Sequence, residues 1–317
     1  MAISILLLIF GLIILVKGAD WLVDGASSLA KKHHISDLAI GLTIVAFGTS
    51  APELVVNVFA AADNLPEIVF GNIIGSNLFN LFAILGITGL IMPIAVQSST
   101  VWKEIPISFL AILILFVLGN DFYFQSSGTV SRLDGVILLL FFAGFLWYVY
   151  KQLKTDPNAI ETTHIVLPPW KIYSFIAIGL GSLVLGGKLV VDSAVNIAHV
   201  LGISQTIIGL TIVAAGTSLP ELATSVVAAI KKKNDIAVGN IIGSNIFNIF
   251  LIIGVSSIVR PLTYIASFNT DMYILGIGTL LLFIAMFIGG KKKLDRWEAA
   301  ILLSAYIGYV LYLIAKI

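Results

Sequence analysis

Two segments of the sequence, residues 41–80 and 209–248, are close copies of each other, and this repeat limits the possible folds more than any other feature. The two segments match at 25 of 40 positions without a gap. The same shift of 168 residues superposes Gly11 on Gly179, so the similarity extends beyond the two segments. Repetition of this kind marks an internal duplication, and the chain is predicted to consist of two related halves.

Composition places both halves in a membrane. Of the 317 residues, 59% are hydrophobic and 11% are charged, whereas about a quarter of a soluble domain is charged. A net charge of +1 provides no basic field for nucleic acid, so a nucleic-acid partner is not expected. The sequence has no cysteine, which excludes disulfides and thiolate metal sites.

Ten apolar runs are long enough to cross a bilayer, whose hydrocarbon core of about 30 Å takes roughly 20 helical residues. The predicted spans are 3–30, 36–61, 67–92, 103–119, 131–150, 171–198, 204–230, 236–259, 269–289 and 296–315. We therefore predict an all-α polytopic membrane protein with a first repeat at 1–150, a short cytoplasmic linker at 151–170 and a second repeat at 171–317. Because each repeat has five spans, the second starts on the opposite face, which is the inverted-repeat architecture of many secondary transporters.

Positive charges fall mainly on one side of this topology. The breaks after the odd-numbered spans contain Lys31, Lys32, Lys103, Lys151, Lys154, Lys171, Lys231, Lys232, Lys233, Lys291, Lys292, Lys293 and Arg296, and the other side has Arg132, Arg260 and Lys316. The positive-inside rule makes the lysine-rich side cytoplasmic, so both termini are expected outside the cell membrane. The two lysine triplets are interpreted as topological signals, with contact to anionic lipid as the alternative.

The second and seventh spans contain related polar hexapeptides, Gly-Thr-Ser-Ala-Pro-Glu at 48–53 and Gly-Thr-Ser-Leu-Pro-Glu at 216–221. A proline cannot donate a hydrogen bond to the carbonyl four residues earlier, so each span is predicted to break into two half-helices here. The glutamate then lies in the first turn of the second half-helix, where the helix dipole favours an ionised carboxylate. Unwound backbone at membrane depth is tolerated only when it is buried in protein or lines a cavity, so the breaks predict a site for ions or water.

The third and eighth spans each add a row of polar residues at a spacing of four, which places each row on one helical face. The rows are Asn72, Ser76 and Asn80 in the first repeat and Asn240, Ser244 and Asn248 in the second. We predict that both rows and both glutamates converge near the bilayer midplane as oxygen ligands for a hard cation, calcium or sodium. For the glycines of these segments and for the first asparagine of each row, a packing role is the alternative.

The two glutamates need a positive partner. A charge at mid-span costs about 2.5 to 3.5 kcal/mol on insertion scales, and no lysine or arginine within the motifs is placed to neutralise Glu53 or Glu221. A bound cation is the simplest counterion. The alternative is that the polar residues only kink packed helices and that both glutamates are protonated.

Other polar residues are weaker candidates. Asp24 and Asp192 match across the repeat, but their position near the end of a long span favours an interhelical or helix-end hydrogen bond over ion coordination. Lys17 and Lys188 have no counterpart of the same type and are interpreted as snorkelling to an interface. The histidines lie in or beside loops, so no histidine metal site is predicted.

The motifs Gly-Thr-Ser-x-Pro-Glu and Gly-Asn-Ile-Ile-Gly-Ser-Asn-x-Phe-Asn, present in both halves, resemble the alpha repeats of the sodium/calcium exchanger family within the cation/calcium antiporter superfamily. The resemblance covers essentially the whole chain. It implies ten helices in two inverted repeats and electrogenic exchange of sodium for calcium. The ion ligands it implies are Glu53, Glu221, Thr49, Thr217, Ser50, Ser218, Ser76, Ser244 and the carbonyls of Ala46 and Ala214, to which the polar rows add Asn80 and Asn248.

The predicted function is therefore an alternating-access antiporter, monomeric and without cofactor, whose partners are calcium, sodium and membrane lipid. Asparagine at Asn248, where many prokaryotic and potassium-dependent relatives have aspartate, resembles the potassium-independent branch. The alternatives are a cation channel, a calcium/proton exchanger and a potassium-dependent exchanger. An enzyme is disfavoured because no pairing of a nucleophile with a base is apparent.

Overall fold

The computed structural model describes residues 2–121, 127–153, 167–201, 214–288, 290 and 292–315, and these residues are mostly helical. The helices are α1 (Ala2–Lys32), α2 (Asp37–Thr49), α3 (Ala51–Ala62), α4 (Pro66–Ile91), α5 (Thr100–Gly119), α6 (Arg132–Leu153), α7 (Pro169–Val200), α8 (Ala214–Gly216), α9 (Leu219–Ile230), α10 (Asn234–Val259), α11 (Asn269–Ala285) and α12 (Arg296–Ala315). Most of the predicted linker lies outside the described residues.

Nine of the ten predicted spans are present among the described residues. Within the described residues, eight helices are long and apolar enough to cross a membrane, and the bent pair α2–α3 makes a ninth. The predicted span 204–230 is represented by α8 and α9, because its first part, residues 204–213, lies outside the described residues. The prediction of an all-α polytopic membrane protein is confirmed.

The two helices that carry the polar rows, α4 and α10, occupy the middle of the bundle and are mostly buried, whereas α1, α6 and α12 expose most of their apolar surface. Glycines allow α10 to approach α2 of the other repeat very closely. A Cβ added to Gly239 would lie 2.8 Å from the Leu38 carbonyl oxygen, and one added to Gly243 would lie 2.8 Å from the Cβ of Ala46. The repeats therefore interlock at their centre.

Four short strands tie the repeats together at both ends of the bundle. In one ribbon, β1 (Ile94–Ala95) pairs antiparallel with β4 (Lys293–Leu294), and in the other, β2 (Ser127–Val130) pairs antiparallel with β3 (Leu262–Ile265). Each ribbon joins a strand of the first repeat to a strand of the second. Sequence reasoning did not predict them, because two to four residues next to helix ends carry no alternating pattern long enough to recognise.

The long helices α1 and α7 pack antiparallel along a seam of glycines, with Gly18 of α1 facing Gly179 of α7. A Cβ added to Gly18 would lie 2.9 Å from the Gly179 carbonyl oxygen, and one added to Gly179 would lie 2.8 Å from the Leu22 nitrogen. These neighbours are backbone atoms, which cannot rotate away as a side chain can. The seam holds α1 and α7 together as one tightly packed pair.

Substitution of Gly179 by alanine tests the seam. We expect Gly179→Ala to lower the stability of the folded protein by about 1 to 3 kcal/mol, because the added methyl group overpacks a backbone contact. Thermal unfolding in detergent, followed by tryptophan fluorescence, measures the change. The matched control is Gly181→Ala on the same helix, where an added Cβ meets none of the described atoms within 4 Å. Equal unfolding temperatures for the two variants would contradict a tight seam.

Candidate cation site

Each hexapeptide breaks its span as predicted from its proline. In the first repeat α2 ends at Thr49 and α3 begins at Ala51, and the two axes differ by 48°. Ser50, between them, has φ −86° and ψ 4°, outside helical geometry. Ser218 has nearly the same conformation, φ −91° and ψ 9°, before α9 begins. Because Pro52 and its counterpart supply no N–H, carbonyl groups of the preceding turn remain available to another partner.

The two glutamates lie in the first turn of α3 and α9, and the fold buries both. Glu53 and Glu221 are each 1% exposed, which is exceptional for a carboxylate without an ionic partner. They are also close enough to each other for their charges to repel. A single region of the protein therefore holds two carboxylates that are both removed from water.

The serine of each hexapeptide donates a hydrogen bond to the glutamate of the opposite repeat. The Ser50 hydroxyl donates to Glu221 Oε1 at 2.8 Å, and the Ser218 hydroxyl donates to Glu53 Oε1 at 3.3 Å. The threonines before these serines differ, because the Thr49 hydroxyl donates to Asn240 Oδ1 and the buried Thr217 hydroxyl has no partner among the described residues. The two hexapeptides thus meet across the inverted repeat, and neither forms the site alone.

The serines of the polar rows occupy unequal positions. The Ser244 hydroxyl lies 3.4 Å from Glu221 Oε1, close enough to donate a hydrogen bond. Its counterpart Ser76 lies 3.5 Å from Asn72 Oδ1 on its own helix instead. Asn72 is also half-buried, whereas the matching Asn240 is fully buried. The two halves of the site are therefore related by sequence but differ in packing.

Two asparagines that the sequence analysis passed over, Asn77 and Asn245, orient Asn80 and Asn248. Asn80 Nδ2 donates to Asn245 Oδ1 at 3.0 Å, and Asn248 Nδ2 donates to Asn77 Oδ1 at 2.9 Å. Both donors lie in π-helical stretches, which shift their side chains relative to a regular helix. With each amide nitrogen engaged across the repeat, each amide oxygen is left for another partner. The signal was present in the sequence, because Asn-x-x-Asn occurs in both rows.

Several polar residues brace the site. The Thr49 hydroxyl is 3.0 Å from Asn240 Oδ1, and Asn240 Nδ2 in turn donates to Ser225 Oγ at 3.0 Å. Asn57, also missed from sequence, is buried four residues after Glu53 and donates to the Glu53 carbonyl oxygen at 2.7 Å. These bonds fix the half-helices that carry the carboxylates. They give Asn240 a bracing role, in agreement with the packing alternative.

The predicted backbone ligands are the carbonyl groups of Ala46 and Ala214, one in each repeat. The Ala46 carbonyl lies within α2, accepts from the Ser50 N–H at 3.0 Å and is 3.3 Å from the Thr49 hydroxyl. Ala214 lies in α8, two residues before the second hexapeptide, as Ala46 lies two residues before the first. Both residues therefore lie in the half-helix that precedes a break.

Five buried side-chain oxygens of the predicted ligands have no hydrogen-bond partner among the described residues. They are Glu53 Oε2, Glu221 Oε2, Asn80 Oδ1, Asn248 Oδ1 and Thr217 Oγ1. None of the ion pairs in the described part of the chain involves either glutamate. Buried acceptors without donors cost free energy that a cation would recover, since its charge satisfies several oxygens at once.

The donor chemistry suits a hard cation. The free oxygens are carboxylate, amide or hydroxyl oxygens, which are hard ligands that suit calcium and sodium and that zinc and copper do not favour. The described residues contain no cluster of three or more histidine, cysteine or acidic side chains. Any metal bound here would therefore depend on the two glutamates together with neutral oxygens.

The remaining charged candidates lie elsewhere. Asp24 is paired with Lys231 of the turn after α9, at 2.6 Å, which is the interhelical contact favoured from its position. Asp192, Lys17 and Lys188 are exposed on the outer faces of α1 and α7. None of them is brought to the two glutamates.

Comparison with known proteins agrees with this geometry. The model of the family described as sodium/calcium exchanger protein matches residues 3–151 and again residues 171–315. The chain is 39% identical to the antiporter candidate CaxA of Alkalimonas amylolytica over 98% of both sequences. It is 36% identical to the inner membrane protein YrbG of Escherichia coli over 82% of this chain and 81% of that one. A solved structure of the sodium-calcium exchanger NCX_Mj superposes with a TM-score of 0.85, at 34% identity over 98% of this chain and 99% of that one.

Neutralising one glutamate tests whether the cation-free site is strained. We expect Glu53→Gln to raise the unfolding temperature in alkaline buffer free of sodium and calcium, because a buried unpaired charge is removed. The same variant is expected to lose the stabilisation that added calcium gives the parent protein, since ligand binding to the folded state raises stability.

Thermal unfolding with and without calcium measures both effects. The control is Glu67→Gln, which removes an exposed carboxylate in the first turn of α4 and should behave like the parent protein. If neither calcium nor sodium changes the unfolding temperature of the parent protein, the prediction of a cation site is contradicted. That result would favour the alternative that both glutamates are protonated.

Proposed function

Since the chain belongs to the sodium/calcium exchanger family, we propose that it exchanges sodium for calcium across the membrane by alternating access, at a site built on Glu53 and Glu221. The protein is an ion transporter and not an enzyme. One observation carries the proposal: two buried carboxylates, one from each repeat, share a region with free amide oxygens and have no positive partner in the described residues. The related exchanger NCX_Mj has been solved after soaking with Na+ and Ca2+ and with Na+ and Sr2+.

The proposed ion ligands divide into three groups. The carboxylates are Glu53 and Glu221, the hydroxyls are those of Thr49, Thr217, Ser50, Ser218, Ser76 and Ser244, and the carbonyls are those of Asn80, Asn248, Ala46 and Ala214. The free oxygens of the carboxylates and of the two asparagines support their assignment most directly. The hydroxyls of Ser50 and Ser218 support it by holding the carboxylates in place across the repeat.

Charge accounts for competition between the two ions. One calcium balances the two carboxylates, so calcium and sodium compete for the same negative charge. If the sodium ions exchanged for one calcium ion carry a different total charge, each transport cycle moves net charge across the membrane. Each such charge is worth about 2.3 kcal/mol per 100 mV, so exchange is expected to depend on voltage.

The α1–α7 pair is the proposed moving element. Its two helices are joined by backbone contacts, but α7 approaches the glycine of each hexapeptide through a side chain. An added Cβ on Gly48 would first meet the Leu180 side chain, and one on Gly216 would first meet Val191. Side-chain contacts can re-form after a displacement, so the pair can slide past the broken helices while remaining intact.

Sodium-driven calcium flux tests the proposal directly. In proteoliposomes loaded with sodium, we expect calcium uptake that stops when the sodium gradient is removed and that neither a potassium gradient nor a pH gradient replaces. Glu53→Gln and Glu221→Gln should each abolish uptake, because each removes half of the charge that binds calcium. Glu67→Gln, away from the site, should retain it.

A cation channel is the second candidate, because the same oxygens would also line a pore. An exchanger takes up calcium only when sodium moves in the opposite direction, whereas a channel needs no sodium. Calcium uptake that persists with sodium absent from both sides would refute exchange and favour a channel. Retained uptake in both glutamine variants would instead refute the site.

The residue at position 248 is expected to determine whether exchange depends on potassium. We expect the parent protein to exchange at equal rates with and without potassium, since no third carboxylate of the described residues joins the two glutamates. Asn248→Asp adds that charge and should make the calcium flux respond to potassium. The control is Asn80→Asp, which places a carboxylate at the matching position of the other repeat. Potassium dependence of the parent protein would contradict the assignment.

We also propose that the lysine-rich face is cytoplasmic, that both termini lie outside the cell membrane, and that the halves divide at 1–150 and 171–317 around a short linker at 151–170. The placement of Lys31, Lys231 and Lys292 at one end of the bundle supports this orientation. The proposed unit is a monomer, because the ligands from both repeats are already present in one chain.

A further inference from the structure

A cavity of about 640 Å³ opens at the lysine-rich end of the bundle, and neither Glu53 nor Glu221 lines it. Its walls are the last turns of α1, the first turns of α7 and the turn between α9 and α10. The lining includes the side chains of Lys31, Lys171, Lys231 and Lys233, the single acidic residue Asp24, and apolar groups such as Phe175. Neither the proposed exchange nor the comparisons assigns a role to this cavity.

The four lysines are set apart from their neighbours by burial. Each of them is half-buried, whereas the adjacent Lys32 and Lys232 are exposed. Burying part of an ammonium group costs solvation free energy, which a structure without a use for the charge would avoid by turning the side chain outward. The lysines of this cavity instead line a common space.

Aspartates neutralise only part of this charge. Lys231 Nζ lies 2.6 Å from both Asp20 and Asp24, and Lys233 Nζ lies 3.1 Å from Asp37. Lys31 and Lys171 have no carboxylate within ion-pair distance in the described residues. Four lysines against three aspartates leave one net positive charge, which matches a ligand with one negative charge.

Apolar and aromatic groups at the rim indicate where such an anion would come from. Leu167, Val23 and Phe175 form part of the wall, and the Lys171 ammonium lies 5.2 Å from the centre of the Phe175 ring. Trp170 and Tyr173 are exposed on the outer side of the same helix, α7, where aromatic rings mark the membrane interface. The cavity therefore lies at headgroup depth and has both a charged and an apolar wall.

We propose that this cavity binds the phosphodiester headgroup of an anionic phospholipid between Lys31 and Lys171 of the α1–α7 pair and Lys231 and Lys233 of the α9–α10 turn. The headgroup carries one negative charge, and its glycerol backbone lies against the apolar wall. Because its lysines belong to the proposed moving pair and to the rest of the bundle, the bound lipid links the two and favours the arrangement seen here. Lipid binding in the cavity does not depend on the proposed exchange, whereas its effect on the arrangement rests on the proposed movement of the α1–α7 pair.

Lipid binding is measured without transported ions, so that failure of exchange and failure of this site can be told apart. The full-length protein in detergent, free of sodium and calcium, is titrated with phosphatidylglycerol and with phosphatidylcholine, and bound lipid is counted by native mass spectrometry. The cavity variant is Lys31→Gln with Lys171→Gln. The matched control, Lys32→Gln with Lys232→Gln, removes the same charge from exposed neighbours. Unfolding temperatures verify that both variants fold.

We expect the parent protein and the control to bind phosphatidylglycerol in preference to phosphatidylcholine, and the cavity variant to lose about tenfold or more in affinity for phosphatidylglycerol. Equal affinities in all three proteins, or equal losses in both variants, would overturn the site. If the double variant misfolds, the single variants Lys31→Gln and Lys171→Gln are measured in its place. Each is expected to lose less affinity for phosphatidylglycerol than the double variant.

Inorganic phosphate is the competing source of the same chemistry. If phosphate alone stabilises the parent protein and not the cavity variant, while lipid binding is unchanged between them, the lipid assignment is overturned and the ligand is a free phosphate. If phosphate does not displace phosphatidylglycerol and the cavity variant alone loses lipid, the lipid assignment holds.

Discussion

Two buried carboxylates without a counter-charge in the described residues are the constraint on which the rest of the structure depends. Glu53 and Glu221 are removed from water, and each accepts a hydrogen bond from a serine hydroxyl of the opposite repeat. A buried charge is costly, and hydroxyl donors stabilise it only in part. The surrounding helices must therefore hold the two carboxylates in place, and a bound cation is the proposed completion of the site.

The fold meets this constraint by making each repeat incomplete. The serine of one hexapeptide donates to the glutamate of the other, and the amide of Asn80 or Asn248 is held by an asparagine from the opposite half. Gly239 and Gly243 bring α10 close enough to α2 for these bonds to form. Two-stranded ribbons at both ends of the bundle, each with one strand from each repeat, fix the position of one half relative to the other.

The α1–α7 pair is packed more tightly internally than against the rest of the bundle, which would allow it to move as a unit. The α1–α7 seam is a backbone-to-backbone contact, whereas α7 meets the breaks through the side-chain ends of Leu180 and Val191. The ion pairs of Lys231 with Asp20 and Asp24 join α1 to the turn after α9. The pair is thus rigid internally and is joined to the core by side chains, which can exchange partners.

Most of the architecture was readable from the sequence, because proline, glycine and long apolar runs act through local backbone chemistry. The helix breaks at Ser50 and Ser218 follow from Pro52 and Pro220, and the spans follow from apolar length. Asn77 and Asn245 were missed although the repeated Asn-x-x-Asn spacing indicated them. Asn57 was missed because an amide in an apolar helix has the same pattern whether it packs or binds. The strand ribbons were missed because so few residues carry no periodic signal.

The sequence by itself determined that this chain is a duplicated membrane protein with an acidic break in the middle of each half, since both properties depend on residue type and spacing. Only the tertiary structure decided which oxygens remain free. Asn240 and Thr49 are used to brace the breaks, while one oxygen of each glutamate and the amide oxygens of Asn80 and Asn248 are left without a donor. That outcome depends on hydrogen-bond partners more than 160 residues away in the chain, a distance over which local sequence carries no information.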